Sequence, residues 1–285
     1  MTKKYAGPLL ALPALVLLLF VLILPIGFTI YCSLFKCNYL QFSAFIGLEN
    51  YIKIFEDPTY VADFGRTFYV SIVALIVAML IGTLLALWIH KSGKVLSYSL
   101  QMIGLIPWVT SMVVAALLWK WLLDPDLGLA NYVLKMLGLE KQTLLTDINT
   151  SIYAVILVIA WRTVGYAMVM ILAGLKMISI DILEAAKVDG CNSFHSFRYV
   201  KLPMMKTSFL ITAICLTLSN FNNLTVPYTL TGGGPGISSN VVSISVYRLG
   251  FVHYRFGLAS AFTFLMLLFN IVLVVIYVKA VRYEI

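Results

Sequence analysis

Three clusters of polar residues interrupt an otherwise apolar chain, and their types bound the chemistry it can do. The first is Trp161-Arg162-Thr163 with Tyr166, and the second is Asn220-Phe221-Asn222-Asn223. Together they offer amides, a guanidinium and flat aromatic faces. Fixed donors and acceptors suit the hydroxyls of a polyhydroxylated ligand, and aromatic faces suit the C–H side of a pyranose. The third cluster, residues 179–206, is charged and turn-rich; it holds Glu184-Ala185-Ala186, Gly190 and Val200-Lys201-Leu202-Pro203. A charged insert between apolar runs is expected to touch another protein.

Each cluster has a competing role. Asn220 and Asn223 are three apart, which puts them on one face of a continuous helix, whereas Asn222 points elsewhere and would join helices. Trp161 could serve as packing. At 1.5 Å per residue, Arg162 lies ~15 Å below the end of its helix, near mid-membrane. There it would draw an acidic group of a substrate or pair with carbonyls or water. Polar groups at such depth are functional candidates because they are costly to keep.

The elements that must position these residues are membrane spans. The chain is 61% hydrophobic and 11% charged, with a mean hydropathy of +0.98; average soluble domains carry roughly twice that charge. Apolar runs long enough for a ~30 Å hydrocarbon core recur at about 8–35, 67–90, 98–122, 152–175, 207–230 and 257–281. Gln101, Gly104 and Pro107 interrupt the third. Pro8, Pro13 and Pro25 predict kinks in the first, which reads as an uncleaved span since its apolar stretch is about twice a signal-peptide core.

Placement of charge sets the topology. With the N-terminus inside, eleven basic and four acidic residues face the cytoplasm, a surplus of seven, while eight of each face out. That is the positive-inside pattern. It assigns the net charge of +8 to orientation and excludes a nucleic-acid partner. Both termini are then cytoplasmic. The outer loops are 36–66, 123–151 and 231–256, with Asp124-Pro125-Asp126 a turn and Leu129 to Leu137 an amphipathic helix stopped by Gly138. The inner loops are 91–97 and 176–206. Four scattered cysteines and three histidines make neither a disulfide framework nor a metal site.

Residues 179–206 read as two short helices and a turn. Asp181 caps the first, with Glu184 completing a capping box. Ala185-Ala186 present a small, flat surface, and Gly190 ends the helix in the left-handed region. Ser193 caps the second, along which Phe194, Phe197 and Val200 recur at helical spacing, and Leu202-Pro203 stops it.

The spacing E-A-A, three residues, G, nine residues, V-x-L-P resembles the signature of binding-protein-dependent ABC importer permeases, with Val200 in place of the usual Ile. The Asn220–Asn223 run followed by Leu230-Thr231-Gly232-Gly233-Gly234-Pro235, and Leu172-Ala173-Gly174-Leu175 before the hairpin, are similar to the maltose and glycerol-phosphate group. The resemblance implies an all-α, six-helix type I ABC importer permease fold in a bacterial inner membrane. Residues 1–66 would form an N-terminal transmembrane helix and outer loop, and residues 67–281 the five-helix transport domain.

It also implies roles and partners. Glu184, Ala185, Ala186, Asp189, Gly190, Leu202 and Pro203 would couple to an ATPase. Trp161, Thr163, Tyr166, Asn220, Phe221 and Asn223 would line a sugar site, to which the depth of Arg162 adds that residue as a candidate. A second permease subunit (a distinct homologue), two ATPase subunits and an extracytoplasmic solute-binding protein complete the assembly. No cofactor belongs to this chain, and ATP and Mg would sit on the ATPase, because no G-x-x-x-x-G-K-[ST] loop is present. The chain is then no enzyme and carries no catalytic residue. The same hairpin would serve an importer of amino acids, peptides or oxyanions. A membrane transferase would need more acidic residues than the four on the inner side, three of which lie in the hairpin. A passive channel leaves the hairpin unexplained.

Overall fold

The structure, a computed structural model, describes residues 12–282. Lys3, Lys4 and Pro8 lie outside the described residues. Among the described residues, four helices are long and apolar enough to cross a membrane: α1 (Leu12–Ser33), α3 (Pro58–Lys91), α7 (Ser151–Lys176) and α13 (Phe256–Arg282). Between α1 and α3 lie an antiparallel pair, β1 (Phe35–Asn38) and β2 (Gln41–Phe45), and α2 (Glu49–Glu56). Two further apolar stretches are bent helix pairs. Helices α4 (Lys94–Val109) and α5 (Met112–Leu122) meet at 93°, and α9 (Ser193–Met204) and α10 (Lys206–Phe221) meet at 71°. The count reaches six only if each bent pair is one span. Short helices complete the order: α6 (Leu129–Met136), α8 (Ile180–Val188), α11 (Thr225–Leu230) and α12 (Val242–Val252).

Several expectations change here. The third span, expected over 98–122 with interruptions at Gln101, Gly104 and Pro107, passes all three as helix and breaks instead at Thr110-Ser111. The fifth, expected over 207–230, ends at Phe221 and resumes at Thr225. At Pro25, where a kink is expected, the chain stays helical, with a π-helical stretch at Leu19–Ile23 just before it. The α6 helix and its Gly138 stop, at φ +72°, stand as expected. In the turn before it, the Asp124 carboxylate accepts from the backbone N–H groups of Leu127 and Asp126 at 2.8 and 2.9 Å.

The described chain packs as two compact units. One holds the residues before Asp63 together with Ser245–Phe269. In it Asn50 donates to the carbonyls of Ser33 (2.8 Å) and Phe35 (3.1 Å), tying α2 to the end of α1 and to β1. The other unit, Asp63–Ile244 with the chain from Asn270, contains both candidate clusters and the hairpin.

Helix α7 is the centre of the larger unit. Its most apolar stretch is 67% buried, against 6% for α1 and 17% for α13. Val155, Ile159, Met168, Ile171 and Leu172 pack along it into two apolar clusters. Small residues allow α4 to cross closely, since a Cβ on Gly165 would stand 2.0 Å from the Gly104 carbonyl oxygen. Lipid tails are as apolar as leucine, so close backbone approach rather than burial from water holds such helices together.

This contact yields a graded test. Gly165→Ala drives a methyl into rigid backbone and should cost about 1–3 kcal/mol. Gly104→Ala meets only the flexible Met168 tip at 2.7 Å and should cost clearly less. Thermal unfolding of the two variants in detergent measures the order, and equal costs would contradict the packing described.

Candidate functional site

The Arg162 guanidinium is committed to backbone. Its Nη2 donates to the carbonyls of Trp108 (3.1 Å) and Thr110 (3.4 Å), and its Cζ lies 5.3 Å from the centroid of the Trp108 ring. These carbonyls belong to the end of α4, where the last turn of a helix leaves acceptors without intrahelical donors. Tyr166, one turn further along α7, stacks on Trp108 at 4.5 Å. Trp108, which was not singled out from sequence, is thus the hub that joins two expected site residues. A tryptophan beside a proline inside a span was its only signal.

The other α7 residues are disposed differently. Thr163 is buried, and its hydroxyl donates back to the Ile159 carbonyl at 2.8 Å. Trp161 meets Trp119 edge-on at 5.5 Å and borders an apolar hollow with Pro107, Tyr153 and Val164.

On α10, Asn220 is 4% exposed, and neither its amide oxygen nor its amide nitrogen has a hydrogen-bond partner. Phe221 is buried edge-on to Phe68 at 5.1 Å. The shared face expected of Asn220 and Asn223 does not form, because α10 stops between them. Asn223 Oδ1 instead accepts from the Val226 N–H at 3.1 Å, at the start of α11. Asn222 pairs with Asn270 of α13 through two amide contacts, at 3.1 and 3.4 Å, the helix-joining role its position suggested. The expected residues therefore fall into a Trp108–Arg162–Tyr166 cluster on α7 and separate positions around the end of α10.

The hairpin keeps its outline and changes its local devices. Helix α8 starts from Ser179 with no side-chain cap, so the Asp181–Glu184 capping box does not form; Asp181 lies in the first turn. There its charge still favours the helix N-terminus. At the other end Gly190 has φ +79°. The Gly190 N–H donates to the Lys187 carbonyl and the Cys191 N–H to the Ala186 carbonyl, both at 3.0 Å, which is a Schellman motif. Asn192, not Ser193, caps α9, accepting from the His195 N–H at 2.9 Å.

Leu202-Pro203 does not stop α9. A π-helical stretch over Ser196–Lys201, in which the Leu202 N–H reaches the Phe197 carbonyl, carries the helix to Met204, and the bend falls at Met205. Glu184, Ala185, Asp189, Gly190 and Pro203 are exposed, Leu202 is half-buried and Ala186 is buried. Around them Val188, Ile180 and Tyr199 stand 88%, 69% and 68% exposed.

Comparisons with known proteins agree with one another. A family model described as "Binding-protein-dependent transport system inner membrane component" matches residues 78–282. The chain is 29% identical over 276 residues to the sulfoquinovosyl glycerol transport system permease protein SmoG of Agrobacterium fabrum, covering 96% of this chain and 89% of the relative. It is 28% identical over 282 residues to the trehalose/maltose transport system permease protein MalF of Thermococcus litoralis, covering 98% and 94%. Its fold matches a chain in the crystal structure of a bacterial ABC transporter involved in the import of the acidic polysaccharide alginate. There the TM-score is 0.86 at 22% identity, over 99% of this chain and 96% of that one.

The committed guanidinium leads to a prediction about stability. Arg162→Leu removes the donor from two carbonyls, each worth about 1–3 kcal/mol when left unpaired in a buried setting. The purified protein should unfold at a clearly lower temperature than wild type. A variant that melts with the wild type would show that the guanidinium is free for another partner.

Proposed function

The chain belongs to the binding-protein-dependent transport system inner membrane component family, and from that premise we propose how it works as the permease of a sugar importer. It is a multi-pass inner-membrane transport subunit and not an enzyme; the ATPase of such importers is a separate chain. The cargo proposed is a sugar, oligosaccharide or related polyol, in line with the substrates named for the SmoG and MalF relatives.

The observation that carries the coupling role is the exposed hairpin. Its signature residues Glu184, Ala185 and Gly190 stand free on α8, among exposed Ile180, Val188 and Tyr199. An apolar patch rimmed by charge is a protein-docking surface. On this reading the hairpin faces the cytoplasm, where the basic surplus places it, and seats in a groove of an ATPase subunit. Two such subunits, holding ATP and Mg, close on each other and push the hairpins. A distinct second permease and an extracytoplasmic binding protein complete the machine.

The Schellman end makes the hairpin a stiff lever, because α8 turns into α9 within a few fixed residues. Ala186, buried beneath Ala185, and Leu202 with Pro203 at the far end would hold its shape, while Asp189 lies at the tip of α8.

For the cargo, Asn220 is the proposed contact. An amide with an idle donor and an idle acceptor can receive a hydroxyl that gives and takes a hydrogen bond at once. Tyr166, Trp161, Phe221, Asn223 and Thr163 would shape its surroundings. Arg162 holds the α4–α5 break and need not meet the cargo.

Two outcomes check this reading in the reconstituted complex. Gly190→Asp places a side chain at φ +79° on the docking surface, and a loss of about 1.4 kcal/mol in docking is tenfold. ATPase stimulation by loaded binding protein should fall at least that far while the complex still assembles; full stimulation would refute the coupling role. Asn220→Ala should reduce uptake by roughly tenfold or more, as losing a buried polar contact to substrate does, with Asn222→Ala as the milder comparison. If the two variants transport alike, Asn220 is not the contact.

A further inference from the structure

An apolar groove of about 590 Å³ runs between the last turns of α3 and the helices α9 and α10. Met79, Leu80, Leu84 and Leu87 form one wall, and Phe194, Phe197 and Phe209 the other. Leu80 and Leu84 are 62% and 66% exposed, so nothing among the described residues fills it. Two cations, Lys91 and Lys201, stand on its lining. Neither belongs to the ion pairs Lys53–Glu49, Arg66–Asp63 or Lys141–Asp126. Lys201 is partly desolvated and repelled by Lys91 and Lys187. Such a concentration of like charge is stabilised by an anion.

We propose that this groove binds an anionic phospholipid, with an acyl chain along α3 and the phosphate between Lys91 and Lys201. Length and charge both support that occupant. From Met79 to Lys91 is twelve residues, or roughly 18 Å of helix, close to the ~15 Å of a single leaflet. Lys91 is the last residue of α3, so the cationic end of the groove coincides with the end of the span, at headgroup level. Basic pockets between transmembrane helices on the cytoplasmic side are the usual seats of acidic headgroups. A neighbouring apolar helix would fill the hollow but leave the lysines without a counter-charge. The inference stands apart from cargo and ATPase docking, because it uses the membrane-facing side of the hairpin and neither Asn220 nor Gly190.

The test uses the whole purified transporter in nanodiscs of phosphatidylcholine with and without phosphatidylglycerol. For wild type, phosphatidylglycerol should raise the unfolding midpoint by several degrees and be retained in native mass spectra. The Lys91→Gln/Lys201→Gln variant should match wild type in pure phosphatidylcholine yet lose both effects. Leu84→Trp, which fills the groove and keeps the lysines, should lose the retained lipid, and Lys94→Gln should keep it. Equal shifts and equal retention in wild type and the double variant would overturn the proposal. So would efficient cross-linking of Leu84→Cys to the second permease subunit, which would assign the groove to a protein helix.

Discussion

Backbone carbonyls in a hydrocarbon layer must find donors, and this constraint governs the larger unit. The α4–α5 bend of 93° falls where a straight helix would have satisfied itself. Each carbonyl released there is expensive, since no water is present to take its place. Arg162 supplies the donor from the neighbouring helix. The close Gly104–Gly165 crossing brings α4 and α7 near enough for that reach, and the Trp108–Tyr166 stack closes the same contact. One cation thereby permits a broken span, and the broken span shapes the hollow that Trp161 borders.

The same economy explains how prolines are passed. A proline inside an α-helix lacks its own N–H and crowds the carbonyl four residues back. In α1 and α9 a π-helical stretch immediately precedes Pro25 and Pro203. The wider turn moves the carbonyls away, so the helix continues. In α9 this keeps the hairpin rigid for one further turn and shifts the bend to Met205, directly against the apolar cluster around α7. The hairpin is thereby joined to the core of the unit by packing, not merely by chain connectivity.

What could be read in the sequence follows from which features are local. Long apolar runs fix the four continuous spans because length and hydropathy are sufficient for a helix in lipid. Gly138 and Gly190 mark helix ends since left-handed backbone favours glycine wherever it occurs. The signature around Glu184 was legible as a pattern of residue types. The misread features depend on partners distant in sequence or on a choice between adjacent residues. Asn192 and Ser193 are both good caps, and only geometry selects Asn192. The α10 stop at Phe221 has no glycine or proline to announce it, and it separates Asn220 from Asn223. Trp108 is not legible as a hub because its partners, Arg162 and Tyr166, lie more than fifty residues away. The β1–β2 hairpin sits in a loop whose short strands alternate too briefly to show a period.

Asn220 is where these arguments converge on function. Buried polar groups are paired almost without exception, and each one that is not requires a reason. Ser71 Oγ, Trp119 Nε1 and Arg162 Nε are also unpaired, but each is a single atom. Asn220 leaves both a donor and an acceptor idle one residue before its helix ends. A leucine there would pack without that cost. Its neighbours have used their own polar atoms, with Asn222 joined to Asn270 and Asn223 to the α11 backbone. The one amide left unspent lies within the transport unit, where the break in the chain brings irregular backbone to membrane depth. Irregular backbone at that depth is tolerated where it is buried in protein or lines a cavity. On the proposed reading, an amide kept idle there is held in reserve for a ligand that brings its own hydroxyl.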